Sequence, residues 1–385
     1  MKKLLPLFIL GFIVSQPLFA FAQAELVPDQ VTTMKAVVLE VTSQEVKNVP
    51  GTTVKSNYQT IVVKILDGAE QGKEVTVEND YIGLKVGDNF YLMHTVDKLS
   101  GYDAYAVSDP YRLPWVYGLV SLFVLCVIIF GGKQGFRGLL ALALSFVFIG
   151  YLLFPGILHG VSPVLMSIGV ASVMVVLGSY ITHGFNKITT SAVIGMVVTI
   201  IFTGLLAYIS IHGAKLTGFS SDESVYLNMN TNGSIDFAGL LLGGILIGLL
   251  GVLYDAAIGQ AVAVDELHQV GPHLPRSIIF KRALRIGREH IGTLVNILAI
   301  AYVGASLPLL LLFYQSGADF GLTMNREIFA TEIVRTMVGS IGLILAVPLT
   351  TLIAVWMLMK VQKNGVSPEK IEKEKEALEN FEHHH

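Results

Sequence analysis

The residue best placed by its type to do chemistry is Asp255, in the segment GVLYDAAIGQAVAVDELHQVGP (Gly251 to Pro272). A carboxylate within an apolar stretch costs several kcal/mol in a bilayer, and is kept where a proton, ion or substrate must be handled. From Phe237 to His268, the residues Gly244, Gly248, Gly251, Asp255, Gly259, Ala263 and Glu266 recur at steps of three and four. That spacing places them on one side of a helix. Small residues let a second helix approach closely, so Gly244, Gly248, Gly251 and Gly259 read as helix-packing positions. Asp255 is then expected to point into a bundle, away from lipid. As a proton relay it would draw on Glu266, on Thr199 and Thr203 of the stripe Ser191, Gly195, Thr199 and Thr203, and on Asn296 near Thr293.

A second dense region runs from Asp265 to His290. His183 and Asn186 in the short segment THGFNK, with Asp265, His268 and His290, are candidates for polar groups at an inner mouth. Asp265, Glu266 and His268 match no strong metal-ligand spacing, so no metal site is expected. The segment RSIIFKRALRIGREH (Arg276 to His290) is basic and amphipathic, and is expected to lie on the inner membrane surface with its cations at anionic headgroups. There is no Gly-x-Ser-x-Gly elbow and no His-Glu-x-x-His pair. Neither enzymatic activity nor a cofactor is therefore expected.

The elements that must hold these residues follow from composition. Of 385 residues 53% are hydrophobic and only 14% charged, against about 25% charged for soluble domains. Apolar windows of membrane-crossing length fall near 114–131, 138–157, 163–181, 189–210, 237–258, 291–314 and 336–359. The fold class is thus a mainly α membrane bundle of about seven helices (114–359) behind a small all-β domain (25–113), an oligonucleotide/oligosaccharide-binding-like barrel or a sandwich. Its strands are read at 34–41, 58–66, 74–78 and 89–93, between Gly-containing turns. Tyr58, Tyr81, Tyr91, Tyr102 and Tyr105 read as core and cross-strand packing, with a ligand face as the sharper alternative.

Residues 1–24 have the charged, apolar and small-residue parts of a secretory signal, with cleavage expected after Ala24 and an uncleaved anchor as the alternative. The tail 360–385 alternates Lys and Glu as a solvated helix would, and its final histidines read as an affinity tag. Lys133, Arg137, Lys187, Arg276, Lys281, Arg282, Arg285 and Arg288 fall in segments on one side. The opposite connections hold Lys215, Arg326 and Arg335. The positive-inside rule then puts the β-domain outside and the C-terminus in the cytoplasm of a bacterial cell, with the spans in its inner membrane. A net charge of −3 argues against a nucleic-acid partner. The expected partners are the lipid bilayer, a transported solute or ion, an envelope protein and a second copy of the chain.

The β-domain, THGFNKITTSAVIG (Thr182 to Gly195) and the Gly251–Pro272 segment together resemble the YibE/F family of bacterial polytopic membrane proteins. A second, local similarity links Gly251-Val-Leu-Tyr-Asp255, Glu266, Ala283, Thr293 and Leu307-Pro308 to the central helices of resistance-nodulation-division transporters and of SecD/SecF. There a Gly-x-x-x-Asp helix carries a proton-relay carboxylate, a role the resemblance would give to Asp255. This chain departs from that pattern in having no large outer domain within the bundle and no second repeat. Two functions are expected to compete: a secondary, proton-coupled transporter, and a non-transporting scaffold whose β-domain binds an envelope partner.

Overall fold

The computed structural model describes residues 30–48, 53, 55–80, 82–96, 103–317 and 319–359. The leader 1–24, the tail 360–385, Tyr81 and Tyr102 lie outside the described residues. The chain divides into two compact units, 1–123 and 124–385.

In the first unit five antiparallel strands form one curled sheet: β1 (Gln30–Asn48), β2 (Lys55–Ile65), β3 (Glu74–Asn79), β4 (Asn89–Val96) and β5 (Asp103–Pro110), ordered β3-β2-β1-β4-β5. The early part of β1 pairs with β4 and the later part with β2. Register shifts after Val38 and Val41 bend the strand between those partners, as bulges do. The result is a half-barrel, and the sandwich alternative is set aside because the described strands form a single sheet. Alternation delivers Met34, Ala36 and Val38, then Ile61, Val63 and Ile65, and Phe90 with Leu92 to one buried face. β5 has no apolar run in the sequence; Ala104, Ala106 and Val107 are held there by pairing with β4.

The helices begin with α1 (Leu113–Phe148), which a π-helical turn (Ile149–Leu153) and a short helix (Phe154–Leu158) prolong. Two windows were expected here, and α1 joins them across Gly132, whose φ of 54° and ψ of −136° are not helical. Only glycine adopts such angles without penalty. A Cβ on Gly135 would run into the carbonyl oxygen of Val127. Eight residues along an unbroken helix would put these positions about 12 Å apart, so the chain doubles back at Gly132.

There follow α2 (Pro163–His183), α3 (Lys187–Gly213), α4 (Asp222–Asn230), α5 (Phe237–Val270), α6 (Arg276–Ala305), α7 (Leu307–Ser316), α8 (Phe320–Met324) and α9 (Glu327–Leu358). Gly184, with φ 77°, ends α2, and Asn186 restarts the chain as α3 by accepting from Thr189 N–H at 2.8 Å. Asp236 caps α5 in the same way through Gly239 N–H. Pro308 lacks the N–H that would continue α6, and α7 leaves at 65°.

Five helices are long and apolar enough to cross a membrane, or six if the bent pair α6–α7 is one span. The protein is thus a membrane protein by the length and composition of its helices. Leu242, Leu246, Leu249 and Leu253 of α5 form the centre of its helical core, with Met196 and Ile200 of α3 and Leu343 and Ala346 of α9.

Arg276–His290, expected as a separate surface helix, is the first half of α6 and runs unbroken into the apolar half. Its Ile278, Ile279, Ala283 and Gly287 are buried, while Lys281, Arg285 and Arg288 are turned outward. Tertiary burial of that narrow apolar stripe ties this half of α6 to the bundle. Arg335, expected in a connection, lies inside α9.

Candidate functional site

Asp255 sits near the middle of the 34-residue α5. It lines a cleft of about 250 Å³ with Ala256, Gly259 and Gln260 of α5, Ile286, His290 and Leu294 of α6, and Val347 of α9. At roughly 30 Å³ per water, such a cleft takes several. Asp255 is exposed to it, and among the described residues no hydrogen bond or ion pair holds its carboxylate. Gln260 closes the floor: it is buried, and its Nε2 donates to the Ala283 carbonyl at 2.7 Å. Gly287 makes room for it, since a Cβ there would meet Gln260 Oε1 at 2.7 Å. Gln260 was not among the residues singled out in the sequence. Its signal is an amide facing the small pair Ala283 and Gly287, legible only once α5 and α6 are known to be neighbours.

The stripe around Asp255 is not where helices pack within this chain. Gly244, Gly248, Gly251, Gly259 and Glu266 are exposed. A Cβ on Gly244, Gly251 or Gly259 would meet nothing within 4 Å, and only Gly248 has a neighbour, the Tyr302 hydroxyl. The expectation that these glycines receive a neighbouring helix holds at Gly248 and is corrected at Gly244, Gly251 and Gly259, and Asp255 is exposed at the cleft where it was expected to point into the bundle. The buried face of α5 is its leucine face, and its close approach is made at Gly243, against Ser167 of α2. Period alone cannot tell the two faces apart when one is leucine and the other glycine.

Thr199 and Thr203 are fully buried and neither lines the cleft. Thr199 Oγ1 donates to the Gly195 carbonyl. Gly195 lies against Thr350, and Gly342 against Thr203. This close seam between α3 and α9 was not anticipated, because its other half, Gly342 and Thr350 on α9, was not read as a stripe.

The inner-mouth candidates divide. His290 shares the cleft with Asp255. Asn186 is spent on capping α3, and His183 Nδ1 lies 2.7 Å from Thr182 Oγ1, at the rim of an apolar groove floored by Gly178, Gly251 and Tyr254. Asp265 accepts from Gln269 of its own helix, Glu266 is exposed, and Asn296 is exposed on α6 without lining the cleft. His268 is half-buried, its Nδ1 without a partner. Among the described residues no three acidic, His or Cys side chains are grouped to hold a metal ion. At the same end of the bundle, Arg276 Nη2 donates to the Met359 carbonyl at 2.8 Å, a cation at the C-terminus of α9.

The β-domain carries its own polar cluster. Tyr105 donates to Glu70 at 2.6 Å, Lys73 Nζ contacts Tyr105 Oη at 2.8 Å and Glu70 at 3.0 Å, and His94 stacks on Tyr105 while bonding Asp103. The hydrogen bond from Tyr105, then that from Lys73, holds the Glu70 carboxyl below its ordinary range. Hydrogen bonding to Tyr105 and Glu70 pushes Lys73 up, and desolvation followed by Glu70 pushes the Tyr105 hydroxyl up.

A family model described as YibE/F-like protein matches residues 119–360, more than half of the chain. The match includes α2 to α9 and both segments that carried the resemblance, and begins after the β-domain. No curated protein and no solved structure matches the chain. Asp255, its cleft and the α3–α9 seam therefore all lie within the matched region, and the chain belongs to the YibE/F-like family.

Proposed function

We propose that this protein is a secondary transporter in which Asp255 binds a proton from one side of the membrane and releases it to the other, biasing two packings of the helices. The observation that carries this reading is the unpaired carboxylate of Asp255, set midway along an apolar helix and open to a cleft it shares with His290. An acid fixed for structure alone would be expected to be paired. His290 is the group through which the cleft exchanges protons, and Gln260 keeps its floor in place.

Counting the two arms of α1 as separate spans, and α6 with α7 as one, supports seven crossings. The turn at Gly132 then joins Lys133, Arg137, Lys187 and the basic half of α6 on the cytoplasmic side. The β-domain is outside, the C-terminus inside, and the membrane is the bacterial inner membrane. A scaffold whose β-domain binds an envelope partner is the competing reading. It is favoured by a polar groove of about 390 Å³ on β1, β2 and β3, lined by Glu45, Lys47, Tyr58 and Glu78 among others.

The test is proton movement into liposomes that hold purified full-length protein and a pH dye, under an imposed gradient. Flux that Asp255→Asn abolishes is expected. Equal flux in wild type and Asp255→Asn would refute the relay, and loss of the cellular phenotype on removing the β-domain, with Asp255→Asn silent, would establish the scaffold.

A further inference from the structure

The helical unit contains an apolar groove of about 420 Å³ that shares no wall residue with the Asp255 cleft. Its walls run from Gly138 to Ile149 along the second arm of α1 and the π-helical turn, from Met174 to His183 on α2, and from Ile247 to Tyr254 on α5. The arm comes against α2 at Ala141, whose Cβ would stand 3.8 Å from one built on Gly178, yet no residue of α1 is buried. At Gly251 a Cβ would meet nothing within 4 Å. Three helices thus line one slot without filling it.

The slot is apolar along its length and charged at one end. Ser145 donates to the Ala141 carbonyl, Thr182 to that of Gly178 and Tyr254 to that of Met174. The hydroxyls in its walls are therefore engaged, and what enters meets apolar surface. From Gly138 to Ile149 the slot extends about 16 Å along the helix, the depth of one leaflet in a hydrocarbon core about 30 Å thick. None of the wall segments 138–149, 174–182 and 247–254 contains a charged residue. At the end marked by Gly138 and His183, Arg137 directly precedes Gly138, Lys133 stands one turn before it, and Lys187 opens α3 four residues after His183. All three cations are exposed, and among the described residues none is paired with an acid. The nearest carboxylate in sequence, Asp255, lines the other cleft.

We propose that this slot binds an acyl chain of an anionic phospholipid whose phosphate rests at the end held by Arg137, His183 and Lys187. The slot's length and apolar walls fit a single chain of one leaflet. Unpaired cations where a membrane helix meets the surface attract anionic headgroups, so charge complementarity selects phosphatidylglycerol over phosphatidylcholine, whose choline cancels its phosphate. The site is independent of the relay reading of Asp255.

The experiment uses full-length protein in vesicles, with Trp115→Phe and Trp356→Phe removing the native tryptophans and Leu142→Trp placing a fluorescent reporter in the slot wall. Leu140→Trp, two residues away and outside the wall, is the control. At position 142, quenching by dibrominated phosphatidylglycerol is expected to show binding about fivefold tighter than by dibrominated phosphatidylcholine, with no preference at position 140. Arg137→Gln is expected to abolish the preference, and Gly251→Leu, which fills the slot, to lower quenching by both lipids at 142. Equal binding of the two lipids at 142, the same preference at 140, or quenching untouched by Gly251→Leu overturns the proposal. Displacement of the brominated phosphatidylglycerol by inorganic phosphate also overturns it, since the site would then hold a free anion and no chain. Should the Leu142→Trp protein not fold, wild type released into a mass spectrometer from nanodiscs of equal phosphatidylglycerol and phosphatidylcholine gives the answer. Selective retention of phosphatidylglycerol that Arg137→Gln removes supports the site, and equal retention of both lipids or of neither refutes it.

Discussion

The two sides of the helical unit use polar residues in opposite ways. Between α3 and α9 the hydroxyls of Thr203 and Thr350 are enclosed, each beside a glycine of the facing helix that lets backbones approach. Along the outward side of α5, Gly244, Gly251 and Gly259 have no such partner, and the polar group among them, Asp255, faces a cleft. The enclosed seam is a packing device, since its threonines are fully buried where two helices approach closely. The open side keeps an ionisable group within reach of water and of a second titratable residue, His290. Stripes of similar composition thus differ in role because of what stands opposite them.

Substitutions can break this contrast, and the largest effects belong to the seam. Gly342→Ala places a methyl against Thr203 Oγ1, and is expected to cost about 1–3 kcal/mol in denaturant unfolding of the purified protein. Gly251→Ala, on the open side, is expected to stabilise by roughly 0.5–1 kcal/mol, the helix-propensity gain with no clash. Two shifts of the same sign would show that the sides do not differ.

Gln260→Ala removes a buried bond between α5 and α6 and is expected to cost about 1–3 kcal/mol. Asp255→Asn, one turn away but open, should leave the unfolding midpoint nearly unchanged. Thr203→Val and Thr350→Val remove hydroxyls that have no partner, so each is expected to fall within about 1 kcal/mol of wild type, on the stabilising side if anywhere.

The smallest effect lies in the β-domain. The folded-state pKa of Glu70 is lowered, so its stabilisation is present above the unfolded carboxylate range and is lost as pH falls through the folded value. Lys73 is raised, so its share is complete below its unfolded value and is lost only at alkaline pH. On acidification the amides of β4 and β5 should therefore exchange faster with solvent deuterium, by an amount worth less than about 1 kcal/mol. Glu70→Gln should flatten that dependence.

Much of the fold was legible because period and caps are local. The windows at 163–181 and 189–210 became α2 and α3 almost unchanged, with Gly184 and Asn186 marking the junction. β5 and the unbroken α6 were not legible, since pairing with β4 makes the one and burial of Ile278, Ile279, Ala283 and Gly287 makes the other. In the site, Asp255 announces itself as a charge in an apolar run. Its neighbour Gln260 does not, since it gains meaning only from α6 standing beside α5, which no spacing within one helix encodes. The reading of Thr199 and Thr203 failed for the same reason, because four-residue steps define a face but not its partner.

The most direct test is the reactivity of single cysteines at positions 255 and 203, in a Cys126→Ser background, toward a water-soluble maleimide in membranes. The account expects Asp255→Cys to react readily and Thr203→Cys to be protected until the protein is denatured. Equal protection at both positions would contradict it, placing Asp255 in a closed seam like that of α3 and α9 and removing the route by which it could exchange a proton.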